Sequence, residues 1–292
     1  MLSPLPVIER AKPLLGTIVR IRVAGLSPDA AHRAIDSAFA EIGTIHHLMS
    51  FHEDDSDVSR LNRDAHANPI EINARTHAVL AQALTLSSIT AGAFDVAVAA
   101  ELVERDVLPR RSDLPATDGD APWTDIVLLD KSQVRFRKPL WIDLGGIAKG
   151  YAVDCAVDFL LETGATQVCV NAGGDLRVAG PDIERVRLAP EFNGLSIPVV
   201  ELSNGSLASS SGTMAARRCG TATGMPHVAP RNATPTLDQF VSVIAPRCIH
   251  ADALTKAVMA KGARTHALLA RFGARAIVHN LTHGWREIGR PV

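Results

Sequence analysis

Two short strings in this sequence bring carboxylates, paired glycines and cations together at a spacing suited to holding phosphate. The first is Asp143-Leu144-Gly145-Gly146-Ile147-Ala148-Lys149-Gly150-Tyr151-Ala152-Val153-Asp154, and the second is Asn171-Ala172-Gly173-Gly174-Asp175-Leu176-Arg177. Glycine lets the backbone approach a ligand closely, and the free N–H groups of a helix N-terminus favour an anion. A glycine pair that merely turns a strand into a helix would read the same way, so both readings stay open on the motif alone. Neither standard nucleotide signature is met: no G-x-G-x-x-G occurs here, and Lys149 lacks the glycine spacing before it and the Ser or Thr after it that define a P-loop.

Other residues can add chemistry to this corner. Phe94-Asp95, after Gly92-Ala93, offers a ring beside a hydrogen-bond acceptor, a pairing that suits a flat ligand with a polar edge and equally suits a plain core. The Ser/Gly-rich stretch 203–212 reads as a loop, either a linker or a set of hydroxyl and backbone donors for phosphate. His227 has a side chain able to take and return a proton near neutrality. His46 and His47 are adjacent on a predicted helix and so face different ways, which argues against a shared metal.

These residues need elements to position them. The apolar run Leu140-Trp141-Ile142 reads as a strand leading to Asp143, and Ile147, Tyr151, Cys155, Val157, Leu160 and Leu161 recur at helical spacing up to Gly164. Val168 and Val170 mark a strand that reaches Asn171, which would set the second glycine turn beside the first. Upstream, Val19, Ile21 and Val23 alternate as a strand. From Pro28, Ala31, Ile35, Ala38, Ile42, Ile45 and Met49 form a helical stripe, with Asp29 as its cap. The acid-rich segment 51–62 reads as a solvated turn, 75–90 as a helix, 126–130 with 133–138 as a hairpin, and 105–122 as a surface excursion. Strands are expected at 197–201, 240–245 and, last, 276–279, with helices at 252–261 and 264–272.

Composition sets bounds on the function. The chain has 292 residues, 47% hydrophobic and 21% charged, which is ordinary globular usage and predicts one domain over 1–292, with room for two lobes around a crevice. A formal net charge of -1 gives no long-range attraction to nucleic acid, so recognition of phosphate must be local. Cys155, Cys169, Cys219 and Cys248 are widely spaced and read as reduced thiols, with no zinc or disulfide framework. No signal peptide and no membrane span is legible.

The two strings together resemble the FAD:protein FMN transferases, the ApbE family. Leu15-Gly16-Thr17, Met49-Ser50-Phe51, the run from Ser56 to Asn62, Gly92-Ala93-Phe94-Asp95 and Ala251-Asp252-Ala253-Leu254 follow the same family pattern in order. The resemblance implies an α+β fold of mixed sheets packed with helices, the T-fold-like flavin transferase type. It further implies an FAD donor, Mg²⁺, and transfer of FMN to a Ser or Thr hydroxyl of an acceptor protein with release of AMP. FAD contacts carry over to Leu15, Phe51, Ala93, Phe94, Asp95, Asp143, Lys149 and Val228, the metal to Gly146 and Asp252, and the proton-handling role to His227. Members of the family are often exported lipoproteins, so the lack of a leader here predicts a cytoplasmic protein.

The chain departs from the family at three places. Ala97 stands where a Thr is usual, and the segment after His227 is one residue shorter and lacks its aspartate. Position 256, where the family supplies a Thr or Ser ligand, is Lys, and a protonated ammonium cannot ligate a metal. Thr255 is then the nearest replacement oxygen, while Lys256 is expected to pair with Asp252. The alternative is accordingly an FAD-binding protein, or an FAD pyrophosphatase giving FMN and AMP, with the transfer reaction weakened or lost.

Overall fold

The computed structural model describes residues 6–117, 122–188, 197–212, 217–219, 222–224 and 239–289. The chain opens with a hairpin, β1 (Ile8–Leu14) and β2 (Thr17–Ala24), joined by Leu15-Gly16. Both loop residues have positive φ, 56° and 68°, the backbone required by the tightest right-twisted hairpin turn. Helix α1 (Pro28–Met49) follows, its buried stripe running from Ala31 to Met49 as the sequence predicts, with Ser27 at the N-cap and Asp29 in the first turn instead of at the cap. Next come α2 (Asp57–Asp64), β3 (Ile70–Glu71), α3 (Ala74–Ile89), α4 (Ala99–Glu104), β4 (Ile126–Leu128) and β5 (Gln133–Phe136). The second half holds α5 (Ala148–Glu162), β6 (Gln167–Ala172), β7 (Asp175–Ala179), β8 (Glu184–Arg187), β9 (Val199–Leu202), β10 (Gly205–Ser211), β11 (Arg217–Cys219) and β12 (Ala222–Gly224). It ends with β13 (Phe240–Ala245), α6 (Cys248–Lys261), α7 (His266–Arg271), β14 (Arg275–Asn280) and β15 (Gly284–Ile288).

The fold is α+β. Its main sheet has eight strands in the order β1-β2-β6-β7-β10-β13-β14-β15, with every neighbouring pair antiparallel. Helices α1, α5 and α6 cover one face, where the principal core lies. On the other face Leu176, Val178, Leu207 and Phe240 meet Leu188, Val200 and Leu202 of the β8–β9 hairpin. Among the described residues no helix is long and apolar enough to cross a membrane. Cys155 and Cys169 are half-buried, Cys248 is buried, and all three are free thiols, whereas Cys219 has no described side chain.

Several expectations are corrected, each for a physical reason. Residues 203–212 are not a loop: 205–211 form β10, whose backbone pairs with β7 and β13, with Ser206 and Ser210 buried. The acid-rich segment is not all solvated turn, because Ser56 accepts a bond from the Ser59 N–H and starts α2. Buried Asp57 accepts bonds from the Thr76 hydroxyl (2.6 Å) and the Asn73 N–H (3.0 Å). Leu140-Trp141-Ile142 joins no ladder; Asn62 replaces a neighbouring strand there, accepting from the Ile142 N–H (2.7 Å) and donating to its carbonyl (3.0 Å). Strand β14 is not the last, since β15 pairs with it, and the segment predicted as a helix over 264–272 divides into a 3₁₀ turn and α7. Helix α6 begins at Cys248, four residues before the predicted start, because the Asp154 carboxylate of α5 accepts the N–H groups of Cys248 and Ile249, both at 3.0 Å.

Candidate functional site

The two glycine strings meet because ion pairs tie α5 to β7 at two places. Lys149 of α5 pairs with Asp175 of β7, and Asp154 of α5 pairs with Arg177 of β7 at 3.1 Å. Arg177 also reaches Asp158 at 2.7 Å. Asp175 and Arg177 therefore brace α5 against β7. Gly150 lies between the two bridges, where α6 crosses so closely that a Cβ would sit 2.3 Å from the Cys248 carbonyl oxygen.

A cleft of about 830 Å³ opens where these elements converge, within the roughly 300–1,000 Å³ usual for small-molecule sites. Strand β10 helps shape it: β7 pairs only with residues 205–207, and Ser209, Ser210 and Ser211 beyond that point line the cleft. Gly145, Gly146 and the Gly173-Gly174 turn all line it. Gly173 has φ +66° and Thr17 packs against it, where a Cβ would lie 2.4 Å from the threonine Oγ1. The β1–β2 turn is thus keyed into the second glycine string. Apolar surface comes from Phe94, Val98, Leu102, Val107 and Leu108, four of them in the stretch after Asp95 to which the sequence reading assigned no site role.

Of the residues expected to contact FAD, Leu15, Phe51, Ala93, Phe94, Asp95, Asp143 and Lys149 all line this cleft, together with Gly146. Phe51 is only 2% exposed and sits in the wall, its carbonyl held by Arg111 Nη1 at 3.2 Å. Arg111, which also donates to the Ser59 hydroxyl at 2.9 Å, carries no motif and was missed. Asp95 accepts a bond from the Ala97 N–H (2.8 Å). Asp143 accepts one from the Gly145 N–H (3.1 Å), and helix α5 has no side-chain cap. His227 and Val228 lie outside the described residues.

The charges are densely set. Burial, only partly opposed by the Gly145 N–H and Lys256, pushes the Asp143 carboxyl up to about 6, and the Asp252 charge adds to the rise. For Lys149 burial works against the charged form, but Asp175 and Asp252 outweigh it and hold the ammonium above its ordinary range. Burial raises the Asp175 carboxyl, against the attraction of the Lys149 ammonium beside it. Burial also opposes ionisation of Asp252, yet Lys256 and Lys149 together hold it below the ordinary carboxylate value.

The residues assigned to the metal are arranged differently from the expectation. Asp252 and Thr255 are fully buried and do not line the cleft, whereas Lys256 does. Asp252 Oδ2 accepts the Gly150 N–H at 3.2 Å, and Oδ1 receives Lys256 Nζ at 2.5 Å. The Thr255 hydroxyl donates to the Asp252 carbonyl (2.7 Å) and meets the Ser210 hydroxyl (2.8 Å), so it is not the free oxygen the sequence proposed. The Lys256 Cε and the Phe94 ring flank Gly146, at 3.4 and 3.6 Å from where its Cβ would be. Among the described residues, the cluster with metal-ligand spacing is instead His47, Glu53 and Asp55, none of which lines the cleft. His46 lines the cleft while His47 does not, as adjacent helix positions require.

The ApbE family model matches residues 15–278. The chain belongs to the ApbE family. A curated relative from Vibrio cholerae, an FAD:protein FMN transferase, is 25% identical over 187 residues, covering 61% of this chain and 56% of the relative. One of the same name from Haemophilus influenzae is 31% identical over 169 residues, covering 53% and 48%. This chain thus spans about half the length of these relatives. The solved ApbE protein of Thermotoga maritima superposes with a TM-score of 0.80 at 24% identity over 97% of both chains, which supports the shared fold.

Proposed function

We propose that this chain transfers FMN from FAD to a Ser or Thr hydroxyl of a partner protein, with release of AMP. The observation that carries the reading is the convergence of Gly145-Gly146, Gly173-Gly174, Phe94-Asp95 and two lysines on one cleft in an ApbE family member. In this reading residues 1–292 form one domain around that cleft. Phe51, Ala93, Phe94 and Asp95 take the flavin end, and Leu15, Asp143 and Lys149 the polar remainder; the family resemblance adds Val228 as a further candidate contact. The acceptor oxygen attacks the FMN phosphorus; a new P–O bond forms, the bond to the bridging oxygen breaks, and AMP departs with that electron pair. The hydroxyl proton passes to a base, for which His227 is the candidate.

The Mg²⁺ expected at Gly146, Asp252 and Thr255 does not fit the residues present. Magnesium needs open oxygen ligands at about 2.0–2.1 Å, while both Asp252 carboxylate oxygens and the Thr255 hydroxyl are already engaged. No step is therefore assigned to it. A second reading is the alternative that the sequence left open, in which water replaces the acceptor and FAD is hydrolysed to FMN and AMP. Incubating the protein with FAD and a Ser/Thr acceptor peptide, while following AMP and peptide-bound flavin, separates the two. AMP with labelled peptide supports transfer, AMP without it supports hydrolysis, and no AMP from FAD refutes both.

A further inference from the structure

We infer that Lys256 serves in this chain in place of a divalent cation, so that the cleft binds the FAD diphosphate through lysine ammonium groups without metal. The inference rests on the flavin reading above and concerns how the phosphates are held. Lys256 reaches from α6 across Gly146, with its Nζ held by Asp252 Oδ1 (2.5 Å) and the Asp252 carbonyl (3.2 Å). Its side chain remains 21% exposed, on the cleft side. Two of its three ammonium hydrogens thus have protein acceptors, and the third is available to an anion. Lys149 lines the same cleft, so two cations face the glycine corner at the uncapped start of α5.

The same contacts disfavour a metal. A cation at Asp252 Oδ1 would have to displace the ammonium or sit beside it, and like charges at such a distance repel strongly away from bulk water. The other carboxylate oxygen is turned to the Gly150 N–H. An ammonium fixed by a buried carboxylate forms charge-assisted bonds to phosphate oxygens and needs no hydration shell stripped from a divalent ion. It brings one positive charge where Mg²⁺ would bring two, which suits binding more than support of a leaving phosphate.

The test is titration calorimetry of the full chain with FAD and with riboflavin, in EDTA and in millimolar MgCl₂. The wild type is expected to bind FAD with affinities equal within about twofold in the two buffers, and in EDTA to prefer FAD over riboflavin by about tenfold or more, the worth of one good charge-assisted contact. Lys256→Thr, checked for native circular dichroism, should lose about tenfold in EDTA and recover it with Mg²⁺. Wild-type binding of FAD only with Mg²⁺ overturns this inference and leaves the flavin reading standing. Equal affinity for FAD and riboflavin in EDTA overturns it as well, as does a Lys256→Thr protein that matches the wild type in EDTA. Absence of flavin binding in either buffer overturns both.

Discussion

Substituting alanine for Gly150 tests what holds the cleft in shape. The added Cβ would lie 2.3 Å from the Cys248 carbonyl oxygen, 2.7 Å from its carbon and 2.8 Å from the Ile249 Cα, all of them backbone atoms that cannot rotate away. Restoring ordinary contact requires α5 and α6 to separate by about 1 Å. Overpacking of this kind costs roughly 1–3 kcal/mol, and the better helix propensity of alanine returns up to about 1 kcal/mol. The same displacement stretches the Gly150 N–H bond to Asp252 and the two bonds from Cys248 and Ile249 to Asp154. A net loss of about 2–4 kcal/mol is therefore expected from contacts and buried hydrogen bonds together. Because Lys256 rides on α6, FAD affinity should fall as well. Gly43 is the control: it lies within α1 with nothing within 4 Å of its would-be Cβ, so Gly43→Ala should stabilise by roughly 0.5–1 kcal/mol. Urea unfolding of both variants, with FAD titration, decides the matter. A Gly150→Ala protein as stable as Gly43→Ala would refute the close crossing of α5 and α6.

Asp154→Ala strands two backbone N–H groups and leaves Arg177 with Asp158 as its partner, and should cost about 3–5 kcal/mol in chemical denaturation; a loss below about 1 kcal/mol would mean that Asp154 does not secure the start of α6. Asn62→Leu removes both partners of the Ile142 peptide groups and should cost about 2–4 kcal/mol, measured by thermal unfolding, whereas an unchanged midpoint would show that other groups satisfy them. Asp143 has a folded-state pKa raised to about 6, so its contribution to stability is present below its unfolded value and is lost as pH rises through 6. Asp143→Asn, which stays neutral, should consequently gain on the wild type between about pH 4 and pH 6. A stability difference constant over that range would place the Asp143 carboxyl in an ordinary solvated setting.

What the sequence determined by itself is what local spacing encodes. The stripe from Ala31 to Met49 specifies α1 because residues three and four apart share a helix face, and alternation at Val19, Ile21 and Val23 specifies β2 for the corresponding reason. The two glycine strings likewise marked the cleft, since paired glycines with flanking charges are legible without any partner. Tertiary structure decided whatever depends on a partner far along the chain. Strand β10 looked like a loop because its serines carry no alternation, and only pairing with β7 and β13 makes them a strand. Helix α6 starts early because its cap comes from Asp154, 94 residues away, and Ile142 is extended without a ladder because Asn62 reaches it across 80 residues. Lys256 shows the division most clearly. Its departure from the family pattern was visible in the sequence, but burial of Thr255 against Ser210 and capture of Asp252 by Gly150 and Lys256 needed the packed helices, because a hydrogen bond is chosen by which groups the fold brings within about 3 Å.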